Sequence, residues 1–316
     1  MAGVAVDSPV MKWLLDSDVS LQYQVFRDLL DVERPDLQQR IAVEGWGAHF
    51  LSLRQPTGHW GQGFYAPKWR SSHYTLLDLK HLALAQDNTA VQETIQLILS
   101  QNQAEDGGIN PGKTIKQSDV CVNGMFLNYA AYFQTPEKDL QPIVDFLIAM
   151  QMPDRGFNCR SNRQGAQHSS LHSTISVLEG IREYLAQGYT YRHDELRRIE
   201  AGAWEFLLIH RLFRSDRTGE IIHPRFLRLS YPSRWFYDIL RALVYWAESE
   251  AGYDERLADA LQVLQEKRRP DGKWPLQARH PGEVHFQMEP SRQPSRWNTL
   301  RALRVLRRVA VEQAQF

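Results

Sequence analysis

Five times along the chain a glycine-bearing turn leads through a polar loop into an apolar run of helical period. The turns are RQPTGHWGQG (54–63), QNQAEDGGIN (101–110), QMPDRGFNC (151–159), RSDRTGEII (214–222) and KRRPDGKWPL (267–276). The runs that follow are HYTLLDLKHLAL (73–84), CVNGMFLNYAAYF (121–133), HSTISVLEGIREYL (172–185), WFYDILRALVYWA (235–247) and WNTLRALRVLRRV (297–309). Their first residues, His73, Cys121, His172, Trp235 and Trp297, are 48, 51, 63 and 62 residues apart. A period of that size fits one helical hairpin per repeat, and repeats of this kind must stack to bury their apolar faces.

Between the runs lie amphipathic stretches, VQETIQLILSQ (91–101), LQPIVDFLIAMQ (140–151) and IEAGAWEFLLIHRLF (199–213), with apolar residues three and four apart. An N-terminal pair over 19–31 and 35–54 makes a sixth hairpin. Alternation of the strand type is rare, and Gly and Pro fall mostly in the connecting loops. The expected fold is therefore all-α: about six hairpins closing into an α/α toroid, with an open α-solenoid as the alternative. The whole span 1–316 reads as one domain, with N-terminal helices over 1–54 and five turn-plus-inner-helix repeats over 55–316. The long polar loops 155–169 and 275–294 are expected around one mouth of the ring, where long loops carry function.

Composition narrows the function. Acidic and basic residues balance at 37 each, which argues against a protein that grips nucleic acid through its phosphates. Yet 29 of the 37 basic residues are Arg, so local anion sites remain open. Two cysteines do not make a disulfide scaffold and fit a reducing, cytoplasmic setting. The N-terminus lacks the basic start and apolar core of a signal peptide. No apolar run approaches the ~20 residues that span a bilayer.

The turns carry a further signal. Gln, a few residues, Gly, any residue and an aromatic occur as Gln55–Gly58–Trp60, with degenerate forms at Gln103–Gly108 and Gln151–Gly156–Phe157. These resemble the repeat turns of the squalene cyclase and protein prenyltransferase superfamily. Segments such as FYAPKWRSSHYTLL, HSSLHSTISVLEG and RRPDGKWPLQ extend the likeness to bacterial squalene-cyclase-like or prenyltransferase-like proteins of unassigned activity. That superfamily's fold is the α/α toroid. Its cyclases are similar in an Asp-x-Asp-Asp acid that is missing here, since Asp16-Ser17-Asp18 lacks the paired acids, so protonation-type cyclisation is disfavoured. Its protein prenyltransferases are similar in a zinc site made of Asp-x-Cys at one inner-helix start and a His at the next. The likeness implies zinc on Asp119, Cys121 and His172, with Cys159 as a possible fourth ligand, and Lys113 and Lys116 on a diphosphate. Val122 stands where that family carries a Tyr, and no companion subunit is visible.

The residue chemistry bears on the same expectation. Zinc favours thiolate, imidazole and carboxylate, and catalytic sites leave one position open. A helix N-terminus favours a thiolate. The alternative is a small core residue at Cys121 and a hydrogen-bonded helix start at His172. Arg70, Arg234 and Arg296 recur at mouth positions and could hold an anion, or simply pair with loop carboxylates. Trp60, Trp69, Tyr74, Trp235, Phe236, Tyr237 and Trp297 would give the cavity an aromatic lining that suits an isoprenoid or lipid-like small molecule, with His73 as a further substrate-binding residue. The alternative for each is core packing. A non-catalytic toroid that binds a lipid or a protein partner is a second reading. A carbohydrate-active toroid is the third, with paired carboxylates drawn from Asp78, Glu179, Asp238 and Glu289, although those acids could equally pair with Arg241, Arg301 or Arg304.

Overall fold

A computed structural model describes residues 8–112, 117–160 and 164–314. It is mostly helical. The N-terminal helices are α1 (Pro9–Leu15), α2 (Val19–Leu29), α3 (Pro35–Arg40) and α4 (Gly45–Ser52). Then follow α5 (Ser72–His81), α6 (Thr89–Asn102), α7 (Val120–Tyr132), α8 (Glu137–Ala149) and α9 (Leu171–Ala186). The last are α10 (His193–Ile209), α11 (Ile239–Glu248), α12 (Ala258–Glu266) and α13 (Arg296–Gln313).

The helices divide by the spread of their apolar residues. Helix α7 is buried on nearly every side, from Val120 through Ala131, as befits a helix walled in by neighbours. Helix α8 buries one stripe, Leu140, Ile143, Val144, Phe146 and Leu147, and lies over α7. In the same way α10 covers α9 and α12 covers α11. The inner helices meet in order: α5 with α7, α7 with α9, α9 with α11, and α11 with α13. Helix α13 in turn meets α2, whose Gln24 amide donates to the His81 carbonyl at the end of α5 (3.0 Å).

Among these contacts α7 with α9 is the most extensive, and its cause is a pair of glycines. A Cβ on Gly180 would stand 2.3 Å from the Gly124 carbonyl oxygen, and one on Gly124 would stand 2.6 Å from the Ser176 carbonyl oxygen. Backbone therefore meets backbone, which only Gly permits.

The repeated turns share one hydrogen-bonded plan. In four of them the chain closes on itself: Gln55 N–H to His59 O, Ala104 to Gly108, Met152 to Gly156, and Arg269 to Lys273, all 2.8–3.0 Å. The next residue, Trp60, Ile109, Phe157 or Trp274, is wholly buried. Its N–H donates to a polar side chain in the following inner helix: Ser72 (3.0 Å), Asn123 (2.6 Å), Thr174 (3.0 Å) or Thr299 (3.0 Å). Each buried donor is thereby satisfied and each inner helix is pinned to its turn. Cys121, His172 and Trp297 all lie two residues before their clamp residue, so they are equivalent. In the first repeat that position is Arg70, and His73 lies three residues further in. The fourth run differs too. Helix α11 begins at Ile239 rather than Trp235, because Asp238 caps it by accepting from Arg241 N–H (2.9 Å).

Short strands β1 (Trp274–Pro275) and β2 (Pro294–Ser295) pair antiparallel, Trp274 opposite Ser295, and hold together the ends of a long excursion. Its path decides what the mouth can do.

Candidate functional site

The excursion between β1 and β2 lies across the inner-helix starts as a strap. Trp69 Nε1 donates to the Pro281 carbonyl (2.6 Å), and Thr75 Oγ1 contacts His285 Nε2 (3.0 Å). His280 stacks on Phe236 with ring centroids 3.8 Å apart, and Phe286 sits against Phe50 at 4.5 Å. Arg70 reaches Glu283 at 2.6 Å on the outer surface. Beneath the strap remains a hollow of about 120 Å³ lined by Phe50, Trp69, Arg234, His285 and Phe286 among others. Of the aromatics expected around the mouth, Trp69 lines this hollow, together with Phe50 and with Phe286 of the chain's own strap.

Beside the strap, the starts of α7 and α9 bring the two thiols together. Cys159 Sγ accepts from Cys121 N–H (3.2 Å) and from Ser173 Oγ–H (3.3 Å). The hydrogen bond between the two thiols, and then burial, push the Cys121 thiol up; the same bond outweighs burial at Cys159 and holds it below its ordinary value. Both cysteines are free. Asp119 precedes them at the α7 N-cap, and its charge acts on both thiols. Burial lowers the Lys68 ammonium against the pull of Cys121 and Asp119, and it lies 4.9 Å from the Trp69 ring and 5.1 Å from that of Trp235.

His172 is committed elsewhere. Its Nδ1 accepts the Tyr237 N–H (2.8 Å), so the proton of the neutral ring sits on Nε2. The ring is boxed edge-on by Phe226 and Trp235. Burial, helped by Arg241 and His223, lowers it to about 4. Among the described residues no group of three His, Cys, Asp or Glu side chains is placed to hold a metal ion. Lys113 and Lys116 lie outside the described residues.

The remaining residues of the expected site take varied positions. Trp60 is core, with its Nε1 on the Phe50 carbonyl (2.6 Å). His73 is wholly buried against the Tyr129 hydroxyl (3.2 Å), and Tyr74 meets Tyr65 through their hydroxyls (3.1 Å). Tyr237 donates to the Leu212 carbonyl (2.5 Å). Arg296 binds the Trp13 and Asp16 carbonyls (3.1 and 3.0 Å) and ties α13 to α1. Arg234 pairs with Asp78 at 2.5 Å with both side chains buried. The other acids weighed for carbohydrate chemistry are likewise engaged. Glu179 holds Arg241 through two bonds (2.8 and 2.7 Å), Asp238 caps α11, and Glu289 accepts from Ser295 (2.5 Å) and Arg296 N–H (2.6 Å).

Deeper along the inner helices, below the mouth, is a second and larger space. This chamber of about 280 Å³ has a charged wall. Six cations line it, Arg27, Lys80, Arg182, Arg241, Arg301 and Arg304, against three carboxylates, Glu179, Glu183 and Glu248. Lys80 pairs with Glu183 (2.9 Å) and Arg182 with Glu248 (2.7 Å), while Arg304 reaches Asp28 behind the wall. Burial raises each of the three lining carboxyls, and the neighbouring cations more than offset it, so all three stay ionised below the usual range. His81 is held neutral, by burial first and then by Lys80. Trp297, foreseen from sequence, is in this wall, stacked on Tyr231 at 4.6 Å. Lys80, Asn128 and Arg182 were not foreseen. The only signal was on α13, where Trp297, Arg301 and Arg304 at i, i+4 and i+7 share one helical face.

No family model matches the chain, and no curated protein matches it in sequence. Among solved structures, a polysaccharide lyase aligns over 94% of this chain and 90% of its own, with a TM-score of 0.55 and 10% identity. A type II terpene cyclase from Scytonema, in complex with geranylgeranyl dihydroxybenzoate, aligns over 93% and 87%, with a TM-score of 0.43 and 14% identity. The likeness to the lyase is one of fold. It points to the α/α toroids as a class and singles out no prenyltransferase or cyclase.

Proposed function

We propose that the inner helices close into an α/α toroid and that the chain binds a polar small molecule in the chamber they enclose, with no catalytic step assigned. The observation that carries this is the wall itself. Lys80, Arg182, Arg301 and Arg304 would be stripped of water by an isoprenoid tail with nothing given in return, and that desolvation opposes binding. A hydroxylated or charged ligand replaces the lost hydration instead. Because the lyase of similar fold is named for polysaccharides, sugars and sugar derivatives are the first probes. Saturation-transfer NMR with glucose, glucuronate and glucose 6-phosphate tests the reading, comparing wild type with Val244→Trp, which places an indole in the chamber. Transfer to at least one probe in wild type, and its loss in the variant, is expected. Equal transfer in both proteins sinks the reading.

A second reading is favoured by the contact of Cys121 with Cys159. We propose that these thiols, with Asp119, form a thiophilic site for zinc, and that His172 joins only if it gives up the Tyr237 N–H. An isoprenoid or related diphosphate would then lie in the aromatic hollow under the strap. Zinc bound there would hold a substrate thiol as thiolate. Elemental analysis of purified protein tests this: about one zinc per chain is expected in wild type and a loss in Cys121→Ser and Cys159→Ser. Substoichiometric zinc in all three proteins defeats it.

A further inference from the structure

Arg301 is the anomaly in the chamber wall. It is only 8% exposed, and its guanidinium donates to the Ser230 carbonyl (3.2 Å) and Asn298 Oδ1 (3.4 Å), both neutral. No carboxylate forms an ion pair with it among the described residues, whereas Arg182, Arg241, Arg304 and Lys80 each have one. Asp238 and Glu179 act on it only at longer range, and burial outweighs them. A buried cation without a counter-charge is strongly unfavourable, and arginine cannot escape by losing its proton.

Three further donors in the same wall are buried and unpartnered: Arg182 Nη1, Arg304 Nε and Trp297 Nε1. Trp297 is 2% exposed, and its Nε1 is shielded from solvent on every side. One acceptor is also orphaned, Asn128 Oδ1. The lining cations exceed the lining acids by three, and by two once Asp28 is counted behind Arg304. Of the lining residues, Arg27 and Glu248 have side chains 37% and 36% exposed, which marks their side, away from the strap, as the way in for a ligand.

We propose that the chamber holds a doubly charged oxyanion, the phosphate group of free phosphate or of a phosphate ester, with Arg301 as its counter-charge and Arg182, Arg304 and Trp297 as donors. This rests on the chamber being the ligand site. Two negative charges bring the wall close to neutrality. Guanidinium groups are the side chains best matched to phosphate oxygens. The orphaned Asn128 oxygen needs a donor, which a P–OH or an ester's hydroxyl supplies and which sulfate lacks. From Trp297 to Arg304 the helix rises about 10 Å, long enough for a phosphate group with a small polyhydroxylated body.

Calorimetric titration in chloride buffer at pH 7 tests the proposal with inorganic phosphate, glucose 6-phosphate, sulfate and glucose as probes. A phosphate-bearing probe is expected to bind one to one, and sulfate at least fivefold more weakly. Equal affinity for inorganic phosphate and the ester assigns the site to the free ion, and binding of the ester alone assigns it to the ester. Arg301→Met is expected to weaken binding at least tenfold, to melt no lower than wild type without ligand, and to lose the rise in Tm that phosphate gives. Trp297→Phe keeps the ring and removes the donor, so it guards against misfolding and is expected to weaken binding several-fold. Failure of both phosphate probes to bind, or binding within twofold of wild type in both variants, overturns the proposal. Binding of glucose without phosphate overturns it while leaving the chamber as the ligand site.

Discussion

Burial holds the His73 imidazole neutral, lowering its pKa to about 3 against an ordinary value near 6.5. Between those values the unfolded chain binds a proton that the folded chain refuses, so stability rises with pH across the window. The contribution is complete above about pH 6.5 and is lost progressively as pH falls toward 3. Each such group adds a slope of about 1.4 kcal/mol per pH unit. His172 and His285, lowered to about 4, and His280, lowered to about 3, act in the same direction. Urea unfolding measured at pH 6.5, 5.5 and 4.5 is expected to show a steep decline, and His73→Gln to flatten it by about one proton's worth. Identical slopes in the two proteins would show that His73 titrates normally. At this scale the sequence was a partial guide. It singled out His73, His172 and Trp297, but a residue's position in a run does not say whether its ring meets solvent, a hydroxyl or a backbone N–H. His172 reads as a ligand until Tyr237 N–H is found on its Nδ1, and nothing local to either residue encodes that contact.

Helices were legible because period survives in sequence. Residues 73–84, 121–133 and 172–185 repeat apolar positions at the helical spacing, and α5, α7 and α9 occupy them. The clamp from turn to inner helix was not legible. It joins residues 12, 14, 17 and 25 apart in its four instances, so loop length varies while geometry stays fixed. The glycines of α7 and α9 were equally silent, since a Gly within a helical run looks like a mild defect. Their role gives a prediction in which two effects oppose each other. Replacing a helical Gly with Ala gains up to about 1 kcal/mol from propensity, whereas forcing a methyl into a filled contact costs about 1–3 kcal/mol. At Gly180 the contact distance of 2.3 Å to backbone makes the second effect win. At Gly202 on α10 the nearest atoms are 3.4 Å away, ordinary contact, and the first should win. Urea midpoints are expected to fall for Gly180→Ala and to rise or hold for Gly202→Ala. A stabilised Gly180→Ala would mean that α7 and α9 stand further apart than a 2.3 Å approach of Cβ to the Gly124 carbonyl oxygen allows.

For the whole molecule, the consequential feature is that the two ends of the helical assembly differ. At one end the strap seals an aromatic hollow, and the far end opens past Arg27 and Glu248 into a charged chamber. Sequence pointed to the first end, because the turns and their aromatics are conspicuous there. It passed over the second, because Arg182 and Arg304 on helices look like a solvated face until the helices are arranged around them. If the strap seals the mouth, it can be removed without dismantling the helices. Arg279 reaches both Gln287 (2.5 Å) and the Glu289 carbonyl (2.6 Å), so the ends of 280–287 lie close together and two glycines can join them. Glu289 would remain to accept from Ser295 and Arg296 at the start of α13. Loss of Phe286 from its seat against Phe50 costs about 2 kcal/mol by itself. The shortened chain is therefore expected to keep its helical circular dichroism and melt at a lower temperature. Trp69 would lose its bond to Pro281 and part of its cover, shifting tryptophan emission to the red and admitting iodide as a quencher. Because the chamber opens at the other end, affinity for a chamber ligand should change by less than about threefold, well under the tenfold step of 1.4 kcal/mol. Unaltered emission would show that the strap does not cover Trp69. A collapse in ligand affinity with the helices intact would place the entrance under the strap instead.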